Sequence, residues 1–229
     1  CKRIVNKRLR EGEEEHGICP EEQHVFRRGR WTITAENEGS RNIDSMVNAR
    51  GSCYVCFVDF EKAFDCVNRK KLLEKLAIKG LPNHFVRVLA SILDENIVRI
   101  CSGGVISDWI KQTIGVPQGD KLSPLLFAIF LADLPAYLMK AICKCIFHAD
   151  DLAIIAETLE ELQEAPNLLE ICCKENDMKV NIGKTEAMKF RRGGRLAATD
   201  NLKYDGRNIK LTSSFTYLGI QLTPKLRSN

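Results

Sequence analysis

The sequence predicts an α+β fold, a sheet with helices packed on one face, and three observations carry that prediction. Residues 54–59, YVCFVD, are a compact apolar run of the kind that a fully buried strand gives. Two further apolar runs, 145–147 and 152–156, flank His148-Ala149-Asp150-Asp151, the pattern of a hairpin with two acids at its tip. Leu72, Leu73 and Leu76, and then Phe85, Val88, Leu89 and Ile92, recur at helical spacing. Helices and strands alternate without a strict βαβ repeat, which makes an α+β sheet with helices on one face the best class.

Along the chain, the first fifty residues alternate charge with short apolar pieces, and no element is assigned there; residues 11–15, with Gly12 and Gly17, read as an exposed turn. The strand at 54–59 delivers Asp59 at its end. Asn68 can cap the next helix and Gly80 can close it. A second helix starts at Leu81-Pro82 and runs to about Asp94, followed by a short strand pair around 98–110. Ser123 offers a capping hydroxyl and Pro124 a first helical residue, with LLFAIFLADL continuing the helix. After the hairpin, residues 159–176 read as an amphipathic helix that Pro166 should kink or break, because proline removes one backbone bond at a cost of ~3 kcal/mol or more. A turn and strand at 181–190, a hairpin about Asp205-Gly206, and a final strand at 215–222 complete the reading.

Composition narrows the function classes. Lys and Arg number 34 against 30 Asp and Glu, a net charge of +4 that alone does not diagnose a polyanion partner. Basic residues cluster locally, at Lys2, Arg3, Lys7, Arg8 and Arg10, at Arg27, Arg28 and Arg30, and at Arg191, Arg192 and Arg195 around Gly193-Gly194, which fits a surface that tracks phosphates. Ten cysteines without a secretory leader imply a reducing, intracellular setting rather than a disulfide framework. Cys53 and Cys56, three apart on a strand, face opposite ways, and no second pair completes a zinc site. The cysteines therefore read as small buried apolar residues. No run is seen to reach the roughly 20 apolar residues of a membrane span. The chain begins at Cys1 rather than Met and ends in a polar tail, so it reads as a piece of a longer protein.

Acids at the ends of apolar strands repel one another unless a cation sits between them. Phosphoryl transfer supplies a reason for such a set, since carboxylates from separate strands are the hard oxygen ligands that Mg²⁺ prefers.

The succession FVDFEKAFDCVNR (57–69), GVPQGDKLSPLLF (115–127), FHADDLAII (147–155), NIGKT (181–185) and FTYLGIQL (215–222) resembles the reverse transcriptase domain of non-LTR (LINE-type) retrotransposons, in that family's order and spacing. KRIVNKRL at 2–9 resembles the family's finger segment, so the likeness covers nearly the whole chain. It implies a right-hand polymerase palm, an antiparallel sheet backed by helices: residues 1–52 as partial fingers, 53–191 as palm with helical finger insertions, 192–229 as the end of the palm with a primer-grip hairpin, and no thumb. It implies an RNA-directed DNA polymerase that uses RNA template, DNA primer and dNTPs, with no membrane. Asp59, Asp150 and Asp151, helped by the Phe60 carbonyl, would hold two Mg²⁺ ions, with Mn²⁺ as a substitute. Phe64 resembles the gate that excludes a ribonucleotide 2′-hydroxyl, and Gln118 and Gly119 the part of the family that lies under the incoming nucleotide and template. Lys184 resembles the lysine proposed to protonate pyrophosphate, and Tyr217, Leu218 and Gly219 the primer grip. Arg27, Arg28 and Arg30 stand where finger residues contact triphosphate or template. The resemblance further implies an endonuclease and a thumb elsewhere on the full-length chain, a nicked genomic strand as primer, and a nuclear location during integration.

Departures from the pattern are His148 where an aromatic precedes the acid pair, Val25 for a glycine, Trp31 for a small hydroxyl residue, Lys121 for a proline, and Pro166 inside a helix. His148, Val25 and Pro166 motivate an alternative: a decayed reverse transcriptase that only binds nucleic acid or a protein partner. A weaker alternative is a group II intron-type or RNA-templated RNA polymerase.

Overall fold

In a computed structural model, residues 2–23, 32–192 and 201–224 are described, residue 16 and residues 32–36 by backbone alone. The expectations for Val25, Arg27, Arg28, Arg30, Trp31, Gly193, Gly194 and Arg195 lie outside the described residues. The chain divides into two compact units, Pro20–Glu61 with Asp133–Asn229, and Cys1–Cys19 with Lys62–Ala132.

The first of these holds a six-stranded sheet built from β1 (Ser52–Val58), β6 (Lys144–His148), β7 (Asp151–Ala156), β8 (Glu186–Arg191), β9 (Leu202–Tyr204) and β10 (Arg207–Leu211), in the order β6-β7-β1-β8-β10-β9. The expectation of an antiparallel sheet needs one correction. β10 runs parallel to β8, pairing Lys210 with Glu186 and Leu211 with Ala187, because the chain crosses over between them instead of turning back. A second correction concerns the faces. Cys53, Val55 and Phe57 of β1 join Ile43, Met46 and Val47 of α2 (Thr32–Arg50) in one apolar cluster. Tyr54, Cys56 and Val58 point the other way and are also buried. Helix α7 (Leu159–Glu175) packs against β7 and β1, so helices cover both faces rather than one. That is the demand of a β1 that is apolar at every position from Cys53 to Val58.

Thr158 caps α7 through a box in which its hydroxyl accepts from the Glu161 amide while the Glu161 carboxylate accepts from the Thr158 amide. The helix continues through Pro166, which is buried; the expected break does not occur. The missing amide leaves the Leu162 carbonyl short of one donor, a cost the packed face absorbs. The segment at 215–222 is likewise not one strand. It is a hairpin of β11 (Phe215–Tyr217) and β12 (Ile220–Leu222), turned by Leu218 at φ 50° and Gly219 at φ 90°. Its Phe215 ring stacks on Phe57 at 4.3 Å and 9°.

In the other unit, α1 (Lys2–His16) occupies the stretch for which no element was assigned. Val5 and Leu9, four apart, are buried on one face, a Lys7–Glu11 pair supports the other, and Gly17 at φ 57° ends the helix. The turn expected at 11–15 is therefore helical, and so is 32–50. Helix α3 (Arg69–Ile78) is capped by Asn68, whose side chain accepts from the Lys71 amide at 3.1 Å, and α4 (Asn83–Asp94) follows Pro82. The strand pair expected around 98–110 is a ribbon of two short ladders, β2 (Ile97–Val98) with β5 (Ile110–Lys111) and β3 (Cys101–Ser102) with β4 (Val105–Ile106).

Helix α5 (Ser123–Phe130) begins as expected but not by the expected cap. Ser123 lies inside the first turn and its hydroxyl donates to the Pro117 carbonyl, which holds the preceding loop. The apolar run then breaks at 131–133 before α6 (Leu134–Leu138). Residues Ser123–Ala141 pass for a membrane span by length and composition only, and 67% of the most apolar window is buried inside the fold, so no clear membrane-crossing helix stands out among the described residues. Seven of nine described cysteines are buried, as expected. Burial pushes the Cys56 thiol up to about 12, which keeps it protonated and inert.

Candidate active site

The sheet delivers three acids to one end. Asp59 follows directly on β1; continuing the register that pairs Val58 with Leu152 sets Asp59 opposite Asp151. Asp151 in turn pairs with His148 across the two-residue turn that contains Asp150. Ala149, in that turn, takes φ 59°, a left-handed conformation that costs a residue with a side chain about 1–2 kcal/mol. Backbone strain of this kind collects at functional sites.

The NIGKT turn locks the end of β1. The Asn181 amide donates to the Asp59 carbonyl at 2.8 Å, and the Asp59 amide donates to the hydroxyl of buried Thr185 at 3.2 Å. The Glu61 amide donates to the Lys179 carbonyl at 2.8 Å. These bonds flank an isolated bridge between Phe60 and Val180. In such a pair the N–H and C=O of Phe60 itself point away from Val180, so its carbonyl is not committed to that ladder. Lys184 is exposed on the same turn.

The Asp151 carboxyl is raised above the ordinary carboxylate range, first because surrounding protein strips its water, then because of Asp150 and Asp59; His148 opposes the shift. Its native state therefore holds a proton more tightly than the unfolded chain. The stability this provides is present below the unfolded value of 3.8 and is lost as pH rises through the raised folded value. Asp151→Asn should accordingly melt no lower than the native chain at pH 7 without divalent cations, and should lack the native chain's decline on leaving the acid range. A lower melting temperature at pH 7 would contradict this electrostatic account.

Among the described residues, no three His, Cys, Asp or Glu side chains are drawn together tightly enough to enclose a metal ion. The donor set still suits Mg²⁺: the oxygens of Asp59, Asp150 and Asp151 are hard ligands, and a cation among them would relieve the repulsion that raises Asp151.

The remaining sequence-predicted residues fall into two groups. Tyr217, Leu218 and Gly219 share a unit with the acids, with Tyr217 buried and its ring 5.4 Å from Phe57. Phe64, Gln118 and Gly119 belong to the other unit. There Phe64 is half-buried, its ring 4.9 Å from Phe127, while Gln118 and Gly119 are exposed on the loop before α5.

Sequence reasoning missed what holds that loop. The Gly115 and Val116 amides donate to the Val67 and Phe64 carbonyls, each at 2.8 Å. Arg69 is buried, and its guanidinium donates to the carbonyls of Gly115 at 2.7 Å, Leu93 at 2.6 Å and Gln112. Burial alone would push that guanidinium's pKa down, with Asp94 opposing. No local signal singled it out, because Lys70 and Lys71 place the same charge in the same first turn without being buried.

A mixed sheet that carries acids at the end of one strand and in the adjoining hairpin turn is consistent with a polymerase palm-like fragment. Solved telomerases share the fold. Apo telomerase from Candida tropicalis matches with a TM-score of 0.60 at 14% identity over 97% of this chain and 38% of that one. The Candida tropicalis enzyme in complex with a TWJ fragment of telomeric RNA gives 0.61 at 16% identity over 90% of this chain and 35% of that one. Residues 1–222 match the family described as reverse transcriptase (RNA-dependent DNA polymerase), and the chain belongs to that family. Its relatives come from non-LTR retrotransposons. It is 31% identical, over 98% of its length, to a Drosophila melanogaster protein named "Probable RNA-directed DNA polymerase from transposon BS", and covers 26% of that protein. It is 27% identical, over 74% of its length, to the RNA-directed DNA polymerase from the Drosophila melanogaster mobile element jockey, covering 19% of it. A Pol polyprotein from a type-1 retrotransposable element of Nasonia vitripennis is 30% identical over 72% of this chain and 17% of that protein. The chain thus spans about a quarter or less of the length of these relatives.

Proposed function

We propose that this chain forms the palm and part of the fingers of a non-LTR retrotransposon polymerase that adds deoxynucleotides to a primer 3′-hydroxyl on an RNA template. The observation that carries this reading is the meeting of Asp59 with the Asp150-Asp151 turn at one end of the sheet, in a chain whose residues 1–222 match the reverse transcriptase family. Asp59, Asp150, Asp151 and the Phe60 carbonyl would hold two Mg²⁺ ions, which supply charge neutralisation and an activated hydroxyl when bound. Lys184, exposed on the turn that grips Asp59, would give a proton to the departing pyrophosphate. Tyr217, Leu218 and Gly219 would hold the primer end, and Arg27, Arg28 and Arg30 the triphosphate or template. Residues 1–52 would serve as partial fingers, 53–191 as palm with finger insertions, and 192–229 as the end of the palm. The full-length protein would add a thumb and an endonuclease that nicks genomic DNA in the nucleus to provide the primer.

The test is extension of a DNA primer on an RNA template with Mg²⁺ by the full-length protein. No extension, together with binding of the hybrid that weakens steeply with salt, would leave the binding-only alternative in its place. Phe64 would bar a 2′-hydroxyl from the nucleotide site. Phe64→Ala is expected to raise incorporation of ribonucleotides relative to deoxynucleotides by about 10- to 100-fold, roughly 1.4–3 kcal/mol of lost discrimination. Unchanged sugar selectivity would remove Phe64 from the role.

A further inference from the structure

We propose that Asp65 is a positioning residue, whose carboxylate fixes the Gln118 side-chain amide so that its oxygen faces the incoming nucleotide. This rests on the reading of Gln118 as a nucleotide contact. Gln118 Nε2 lies 3.1 Å from both Oδ1 and Oδ2 of Asp65. A carboxylate only accepts hydrogen bonds, so the NH₂ end of the amide is committed to Asp65 and Oε1 is turned outward. Gln118 is exposed, and without this bond its amide would rotate in water.

The distance between the two residues is set by backbone. The Val116 amide donates to Phe64 and the Gly115 amide to Val67, so the loop is fastened on either side of the Asp65 position. Gly115 lies so close that a Cβ there would be 2.6 Å from the Asp65 carbonyl oxygen. Arg69 holds the Gly115 carbonyl from the far side at 2.7 Å. Asp65 is therefore a fixed anchor, and Gln118 presents one acceptor in one place.

An outward acceptor selects a donor. On a deoxynucleoside triphosphate the phosphates accept, and the Watson–Crick donors of the base are taken by the template. Beyond the second amino hydrogen that some bases keep after pairing, the sugar 3′-hydroxyl is the donor common to all four nucleotides, so it is the group an oriented Gln118 Oε1 would receive whatever the base.

The experiment is single-nucleotide incorporation by the full-length protein, comparing a dNTP with the matching nucleotide that lacks the 3′-hydroxyl. Asp65→Ala is expected to raise KM for the dNTP about three- to tenfold, the scale of one lost hydrogen bond. Its kcat should stay within about twofold, and KM for the 3′-deoxy nucleotide should not move. In a Gln118→Ala background the same change should add nothing, because Asp65 acts only through Gln118. Asp65→Asn, which keeps shape and lacks the charge, should shift KM for the dNTP in the same direction and guards against a folding defect in the alanine variant. Equal shifts for both nucleotides, additive effects in the double variant, or unchanged KM in both Asp65 variants would each overturn the proposal. If Gln118→Ala itself leaves KM for the dNTP unchanged, the nucleotide-contact reading fails and takes the Asp65 proposal with it. If Gln118→Ala raises KM and Asp65→Ala does not, only the role of Asp65 falls.

Discussion

Asp59→Asn and Asp150→Asn should each reduce primer extension by at least about 10³-fold, roughly 4 kcal/mol of transition-state stabilisation. An amide keeps the size of the carboxylate and removes its charge, so it leaves the sheet alone and weakens the hold on a divalent cation. Asp59 is fastened through its backbone, to Asn181 and Thr185, and not through its carboxylate. The substitution should therefore leave the melting temperature near that of the native chain, and binding of an RNA–DNA hybrid should keep its salt dependence. Extension within about tenfold of native in either variant would remove that residue from the metal site.

Gly115→Ala should cost about 3 kcal/mol or more of stability, combining the strain of a left-handed residue with a backbone clash. The glycine sits at φ 79°, and an added Cβ would meet the Asp65 carbonyl oxygen at 2.6 Å and its Cα at 2.8 Å. For a chain of this size the loss corresponds to a fall of about 6–12 °C in melting temperature. Gly119 gives the contrast, since it has the same φ of 79° with nothing within 4 Å of an added Cβ. Gly119→Ala should lose only the conformational part, about 1–2 kcal/mol. Equal losses at the two positions would mean that the close approach to Asp65 contributes nothing.

Legibility tracked how local the determining physics was. The run at 54–59, the hairpin that carries Asp150, the Asn68 cap and the Asp205-Gly206 turn are set by neighbours within a few residues, and all were readable. The parallel partnership of β8 and β10 was not, because nothing local distinguishes a strand that crosses over from one that turns back. Helix α1 was hidden because only two buried apolar residues, Val5 and Leu9, make a thin stripe among charges, and the next position of that stripe is the buried acid Glu13. Pro166 misled in the opposite direction: the rule about its backbone is sound, but the packing of a long capped helix outweighed it. The placement of Asp59, Asp150 and Asp151 at one end of the sheet was readable from residue type and position, whereas the contacts of Thr185, Asp65 and Arg69 reach across 126, 53 and 46 residues of sequence.

Phe57 stands two residues before Asp59 on β1, with its ring flat against Phe215 and near Tyr217. That strand is stitched on both edges, to β7 and to β8, so it cannot slide without breaking two registers at once. A primer end held by the hairpin would therefore be measured from the same ruler that carries the first acid. Error in placing the reacting hydroxyl would then come from the stacking of two rings and one short length of strand. A change at Phe57 or Phe215 should thus be felt as lost accuracy in where the primer terminus stops, before it is felt as lost affinity.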